Sequence, residues 1–242
     1  MIPMAGAGSR FVAAGYTFPK PLIDVNGKPM IQLIVENLKP KCDYKFIFIC
    51  RGEHFEQYSL NQIFSHITDN KFESILVNDL TAGAAATVLT ATDYINSDND
   101  LLIANSDQLV DIDINDYIQF SRKSGAAGTI MTFTASHPKW SYARIDKKKN
   151  VLETVEKKVI SDHATVGIYY FTKGKDYVDG AFSMIKKNIR VNNEFYVCPV
   201  YNELILQDKQ IKIWDIKAKE MHGLGTPEDL NQYLAYLEKQ QK

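Results

Sequence analysis

The residues best suited to chemistry in this chain gather first between Met4 and Met30, in MAGAGSRFVAAGYTFPKPLIDVNGKPM. Gly6 and Gly8 let backbone N–H groups come close to a ligand, because no Cβ intervenes and positive φ costs little there. Ser9 adds a hydroxyl, Arg10 a planar cationic fork and Lys20 a mobile point charge. Amides, guanidinium and ammonium aimed at one place make a polyphosphate cradle. The same glycines also suit an ordinary turn carrying surface charges, and it is the Pro-Lys-Pro of Pro19, Lys20 and Pro21 that makes the combination specific. The whole stretch reads as one long polar loop.

A second group of polar residues follows the apolar run LLIA at 101–104, as Asn105, Ser106 and Asp107. An unpaired carboxylate at the end of a buried strand is costly. Asp107 therefore either holds a cation, magnesium by its hard oxygen chemistry, or caps a backbone turn, while Asp113 suits a helix cap. Glu156 and Lys157 form a charged pair after a hairpin strand, which on residue type alone amounts to a surface pair of little energetic weight. Glu194, Tyr196, Tyr201 and Asn202 could shape a polar pocket or equally form a tyrosine-rich core edge. The five histidines share no metal-like spacing, so a zinc site is not expected. There is no GxSxG elbow, no lysine of the Walker type follows the glycines, and Phe11 stands where a dinucleotide-binding turn needs a third glycine.

The elements that must position these groups alternate along the chain. Helical spacing of apolar residues marks 31–38, 60–67, 83–92, 114–120, 174–187 and a last helix with Thr226 as N-cap, Pro227 in the first position and Asp229 completing a capping box. The apolar runs at 44–50 and 101–104 read as buried strands, 72–77, 128–134, 164–171 and 211–216 as further strands, and 142–146 with 151–155 as a surface hairpin around the Lys147-Lys148-Lys149-Asn150 turn. This pattern predicts an α/β fold with a mainly parallel central sheet and helices on both faces. Ligands of such sheets bind beyond the carboxyl ends of the strands, where the glycine loop, the Thr81-Ala82-Gly83 turn and Asp107 are all expected.

With 242 residues, 45% hydrophobic and 24% charged, the chain has the composition of one globular domain. A net charge of −1 gives no general attraction for nucleic acid or an anionic membrane, so neither is expected as a partner. Cys42, Cys50 and Cys198 are widely spaced among apolar neighbours and read as buried, reduced thiols of a cytoplasmic protein. No apolar run is long enough to span a bilayer, and Met1 to Met4 lead straight into the loop, so no signal peptide is expected; a natural start upstream of residue 1 remains open.

GAGSR followed by PKPL and KPM, together with Asp107 and an E-K pair before a G-x-Y strand, resembles the sugar-phosphate nucleotidyltransferases, the pyrophosphorylases that make nucleoside-diphosphate sugars. The resemblance covers most of the chain. It implies a single Rossmann-like, GT-A-like nucleotidyltransferase domain over 1–242, with a nucleotide-binding half at 1–135 and an acceptor-binding half at 136–242. It further implies that Ala5, Gly6, Ala7, Gly8 and Ser9 bind the triphosphate, with Arg10 and Lys20 as the catalytic cations. Asn78, where relatives often carry glutamine, would read the base with Gly83 and Ala84. Glu156, Lys157, Gly167 and Glu194 would bind the acceptor, and Asp107 would hold Mg2+. One departure concerns the D-x-G-T-P pattern, whose aspartate is a second magnesium ligand in many members; here HGLGTP puts Gly223 in its place, with His222 or Asp215 as conceivable substitutes. The implied reaction couples a nucleoside triphosphate, CTP or UTP/dTTP, to a phosphorylated acceptor with release of pyrophosphate. SYARID, EKKVIS and ATVGIYYF resemble a subgroup of surface-polysaccharide gene clusters, whose acceptors extend from sugar 1-phosphates to phosphoglutamine in capsule biosynthesis. A homodimer is a further possibility. A GT-A-type glycosyltransferase using a nucleotide sugar, and a nucleotide-sensing module of low activity, are the competing functions.

Overall fold

A computed structural model describes residues 1–240. In chain order it contains β1 (Ile2–Pro3), α1 (Ser9–Ala13), a 3-10 turn at Lys20–Leu22, β2 (Asp24–Val25), β3 (Lys28–Pro29), α2 (Met30–Leu38), β4 (Phe46–Arg51), α3 (Gly52–Gln57), α4 (Leu60–Thr68) and β5 (Phe72–Val77). Next come α5 (Ala84–Leu89), α6 (Thr92–Ile95), β6 (Leu101–Ala104), β7 (Gln108–Val110), α7 (Ile114–Lys123), β8 (Gly128–Thr134), β9 (Tyr142–Ile145), β10 (Val151–Val155) and β11 (His163–Phe171). The chain then forms α8 (Gly174–Lys186), α9 (Val200–Ile205), β12 (Ile211–Ile216), β13 (Met221–Gly223) and α10 (Pro227–Gln240). Most elements fall where apolar periodicity predicts them. They pack into two compact units, each assembled from separated pieces of chain.

One unit comprises Ile2–Leu80, Asn105–Ile114 and the chain from Lys219 onward. Its sheet is parallel, with β4 in the middle, β1 on one side and β5 on the other. A central strand is covered on both faces, which explains why Phe46 to Cys50 is apolar throughout and buried. Phe48 stacks on Phe64 of α4 at 4.0 Å between centroids. A second, two-stranded sheet pairs β7 with β13 antiparallel, bringing Gly223 opposite Gln108. In α10, the Thr226 hydroxyl accepts the Asp229 N–H at 3.0 Å, as the capping residues predict.

Residues 4–30 are not the single long loop that their polarity suggests. They fold into α1, the 3-10 turn and a tight hairpin, because each carries local signals that outweigh composition. Asn26 and Gly27 take φ of 55° and 85°, the paired positive values of a type I′ turn between β2 and β3. Pro19 and Pro21 set the backbone on either side of Lys20, and Pro21 is buried.

The other unit comprises Met1, Thr81–Ala104 and Asn115–Ala218. Its sheet runs β10-β9-β11-β8-β12, with β6 also paired to β11. β8 and β12 are parallel, whereas β11 is antiparallel to β6, β8 and β9, so this sheet is mixed. The surface hairpin at β9 and β10 is present as predicted. Five tyrosines, Tyr117, Tyr142, Tyr170, Tyr177 and Tyr201, are fully buried. Burial of phenols is tolerable when the hydroxyl is bonded. Tyr117 donates to the Thr129 carbonyl at 2.6 Å, Tyr201 to the Tyr170 carbonyl at 2.9 Å and Tyr177 to the Ala85 carbonyl at 3.0 Å. The Tyr201 ring stacks on Phe171 at 4.4 Å, and a Cβ at Gly128 would lie 2.6 Å from it. Cys50 and Cys198 are buried and Cys42 is half-buried; all three are free thiols, and burial pushes the Cys50 thiol up to about 12.

Gly174 opens α8 against the end of α6, where a Cβ would lie 2.0 Å from the Ile95 carbonyl oxygen. Both partners are backbone, so little can yield. Gly174→Ala is expected to destabilise the protein by about 1–3 kcal/mol, read as a lower urea midpoint.

Candidate active site

The predicted site residues fall into two groups, one in each unit. In the unit that begins at Ile2, the glycine loop follows β1, and Gly8 caps α1 with a left-handed φ of 61°. The Gly8 carbonyl accepts the Phe11 N–H at 2.9 Å. The N–H groups of the first helical residues have no partner inside the helix, which suits them to an anion. Ala5 is buried, whereas Gly6, Ala7, Ser9 and Arg10 are exposed. A Cβ on Gly8 would touch the Lys20 Cβ at 3.4 Å, so the loop and the lysine stem lie side by side.

The Lys20 Nζ donates to Asp107 Oδ2 at 2.7 Å, with the two side chains about one-fifth exposed. Partly buried opposite charges at this distance hold each other firmly. Asp107 is in turn fixed through its backbone. Its carbonyl accepts the Leu224 N–H at 2.7 Å, immediately after β13, and β7 continues from it. The Asn37 side chain of α2 clamps Val110 of β7, donating to its carbonyl at 2.8 Å and accepting its N–H at 3.0 Å. Asp111 Oδ2 meets His222 Nε2 at 2.7 Å and accepts the Tyr236 hydroxyl of α10 at 2.8 Å.

Gly225, which residue typing did not single out beyond its motif, proves to matter for Asp107. A Cβ there would stand 3.2 Å from Asp107 Oδ2 and 3.9 Å from Asp229 Oδ2. The signal was available in the G-T-P run, where glycine permits close approach to the carboxylate. Gly223 pairs with Gln108, the residue after Asp107, so the position that departs from the D-x-G-T-P pattern is adjacent to the carboxylate it would assist. His222 is held by Asp111 and by the rings of Tyr233 and Tyr236. Asp215 belongs to the other unit, where it bonds Thr132, Lys149 and His163. Among the described residues no group of three or more His, Cys, Asp or Glu side chains is arranged to hold a metal ion. The donor set fits magnesium in another way, since that ion takes one or two carboxylates and completes its shell with substrate phosphates and water.

Asn78 follows β5 and is exposed. Its neighbour across the sheet is Arg51, the register partner of Val77. Arg51 bonds Glu53 at 2.9 Å, while its buried Nε has no hydrogen-bond partner. Nothing in the sequence around Arg51 pointed to it, because it reads as the charged end of an apolar strand.

The second group lies in the unit that holds the mixed sheet. Gly83 has a φ of 116°, and a Cβ there would lie 2.6 Å from both the backbone N and O of Phe195. Phe195 donates its N–H to the Ala82 carbonyl at 2.8 Å and accepts the Ala85 N–H at 2.9 Å. Ala84 is thereby enclosed in a backbone clasp, next to the exposed Glu194. Gly167 sits in β11 with a φ of 91°, within the register shift between Thr165 and Tyr169, a bulge that glycine permits. Glu156 follows β10 and is buried, accepting the Ser141 hydroxyl. Burial raises its carboxyl above the ordinary value of 4.5, Glu194 adds to the rise, and Ser141 and Lys157 oppose it. Lys157 has a left-handed φ of 53° and donates its Nζ to the Tyr196 hydroxyl at 2.5 Å. Tyr201 and Asn202 do not shape a pocket. Tyr201 is core, and Asn202 ties down Thr154 of β10 through two bonds of 2.8 Å.

Over residues 1–210 the chain matches the family described as nucleotidyl transferase. It is 24% identical over 245 residues to the bifunctional protein GlmU of Methanocaldococcus jannaschii, covering 98% of this chain and 53% of that one. The chain thus spans about half the length of that relative. It is 23% identical over 201 residues to glucose-1-phosphate cytidylyltransferase of Salmonella typhimurium, covering 74% and 76% of the two chains. Among solved structures, the nucleoside-diphosphate-sugar pyrophosphorylase from Vibrio cholerae RC9 superposes with a TM-score of 0.83 at 24% identity, covering 97% of this chain and 100% of that one. The fold is therefore the α/β, Rossmann-like one of nucleotidyltransferases. Among the described residues no helix is long and apolar enough to cross a membrane.

The raised carboxyl of Glu156 sets a pH dependence. Between 4.5 and its folded value the unfolded chain has already lost this proton while the folded protein keeps it. Stability therefore falls as pH rises through that window and is level above it. Wild type is expected to lose stability relative to Glu156→Gln across that interval, measured by urea unfolding at a series of pH values. A difference independent of pH would show that Glu156 titrates normally.

Proposed function

The chain belongs to the nucleotidyl transferase family, and from that premise we propose that it transfers a nucleotidyl group from a nucleoside triphosphate to a phosphorylated small molecule, releasing pyrophosphate. The observation that carries this reading is the contact of Lys20 with Asp107 beside Gly8. A cation and a carboxylate held together at a glycine loop suit a polyanion that arrives with a metal ion. A nucleotide-sugar transferase has less need of that loop, because its donor brings a diphosphate whose charge the metal neutralises.

In the proposed reaction an oxygen of the acceptor phosphate attacks the α-phosphorus in line. A new P–O bond forms, the bond to the β-phosphate oxygen breaks, and pyrophosphate departs with the electron pair. The nucleophile is already an anion at neutral pH, so no general base is required. The protein's contribution is to position two anions and offset their repulsion. Ala5 to Ser9 would hold the triphosphate through backbone N–H groups and the Ser9 hydroxyl, with Arg10 adding its fork. Lys20 would exchange Asp107 for the phosphate oxygens and follow the negative charge as it develops. Asp107 and the bound phosphates would hold Mg2+, which when present neutralises phosphate charge. Asn78, Gly83 and Ala84 would read the base; Glu156, Lys157, Gly167 and Glu194 would receive the acceptor.

The favoured substrates are a pyrimidine nucleoside triphosphate, CTP before UTP or dTTP, and a sugar 1-phosphate. The cytidylyltransferase of Salmonella typhimurium, which shares most of its length with this chain, supports that choice. Phosphoglutamine, and with it a role in capsule biosynthesis, is the alternative acceptor suggested by the EKKVIS and ATVGIYYF segments.

The test is pyrophosphate release with each common nucleoside triphosphate and magnesium against glucose 1-phosphate, other sugar 1-phosphates, phosphocholine and phosphoglutamine. Release that depends on both substrates is expected. Nucleotide binding without release across the panel would instead identify a sensing module, and transfer from a nucleotide sugar a glycosyltransferase. Lys20→Ala should lower turnover by about a hundredfold, the scale of losing one transition-state charge partner. Asp107→Asn should weaken Mn2+ binding to the nucleotide complex, measured by calorimetry without turnover; unchanged binding would remove Asp107 as the ligand.

A further inference from the structure

Among the residues proposed to receive the acceptor, Lys157 is the one whose charge suits the acceptor phosphate, and it is held at both ends. Its backbone is fixed in the left-handed region, with its N–H donated to the Trp140 carbonyl at 3.1 Å. At the far end, Nζ is held by one residue in two ways. It donates to the Tyr196 hydroxyl at 2.5 Å and lies 4.6 Å from the centroid of the same ring. An ammonium on a four-carbon stem is otherwise among the most mobile of charges. Here a hydrogen bond and a cation–π contact confine it together.

Tyr196 can serve as such a stop because its neighbours are anchored. Phe195 is 2% exposed, exchanges two backbone hydrogen bonds with the Ala82–Ala85 turn, and carries the Arg190 guanidinium 4.2 Å above its ring. Val197 and Cys198 on the other side are buried. The tyrosine therefore projects from a fixed stretch of chain, and Lys157 rests on it.

We propose that Tyr196 is a positioning residue for the acceptor phosphate: it holds the Lys157 ammonium in one place, so that the phosphate meets a charge already ordered. This rests on the reading of Lys157 as the acceptor-phosphate ligand. A preorganised cation binds more tightly because less freedom is lost on binding. The two contacts also make separable contributions, since phenylalanine keeps the ring and loses the oxygen, while leucine loses both.

The test is a double-mutant cycle read in steady-state kinetics, with CTP and glucose 1-phosphate or whichever pair turns over fastest in the panel above. Tyr196→Phe should raise the acceptor KM by roughly three- to tenfold, the scale of the net contribution of one hydrogen bond that acts through positioning. Tyr196→Leu should raise it further, while the KM for the nucleotide changes by less than about twofold in both variants. Lys157→Ala should raise the acceptor KM by more than either. In the Lys157→Ala background, Tyr196→Phe should add nothing, because its effect passes through the ammonium. Multiplying effects in the double variant, or an equal rise in both KM values, would give Tyr196 a general structural role and overturn the proposal. An unchanged acceptor KM in Lys157→Ala would instead sink the reading of Lys157 itself. Where Tyr196→Leu folds poorly by thermal melting, Tyr196→Phe and the double variant still decide.

Discussion

The contact between Lys20 and Asp107 joins residues 87 positions apart in the chain, and much of one unit can be understood as the means of achieving it. Neither partner could be left alone in that setting, because a half-buried charge without a counter-charge is costly. Each is held from its own side. Two prolines and a 3-10 turn fix the lysine backbone, while the β7–β13 pairing, the Asn37 clamp and the Leu224 amide fix the aspartate. The result is a pair of residues whose backbones are fixed from both sides, with the contact to Asp107 holding the Lys20 ammonium at the end of its stem. Such a pair can exchange partners for a ligand's charges without the scaffold moving, which is what electrostatic preorganisation requires.

The other unit uses a different device for the same purpose. Its polar groups stand on a heavily aromatic core in which phenol hydroxyls are bonded to backbone carbonyls. Rigid rings, three of them tied to the backbone through their hydroxyls, give a base on which a bulge at Gly167, a buried Glu156 and a left-handed Lys157 can all be sustained. The clasp between Phe195 and the Gly83 turn belongs to this scheme. Gly83 could not be replaced by any residue with a Cβ without breaking that clasp, and its positive φ alone would disfavour the exchange.

Much of this was legible in the sequence. The strand patterns located β4, β5, β6, β8 and β12 to within two residues; β4, buried along nearly its whole length, is apolar almost throughout, whereas β12 at its sheet edge alternates. The capping residues of α10 were likewise explicit. The polarity of residues 4–30 misled, since short helices and tight hairpins are encoded by a few local residues that composition averages away. Pairings between distant segments were also hidden. Periodicity gives a strand its existence but not its partner, so the short β7 and β13 and the antiparallel course of β11 emerged only in three dimensions. For the same reason Gly225 could be read as a motif letter but not as the neighbour of Asp107, and Tyr201 suited a pocket or the core equally until its burial decided for the core.

The β7–β13 pairing also bears on where this protein can be cut. Similarity to the family extends over residues 1–210, and a boundary drawn there would look natural. It would discard β13, the amide that holds the Asp107 carbonyl, and the His222 and Tyr236 side chains that meet Asp111. The glycine loop at the opposite end of the chain would be intact in sequence and yet face a carboxylate that had lost its seat. The chain beyond residue 210 is thus part of what holds Asp107 and Asp111 in place, although the family match ends before it.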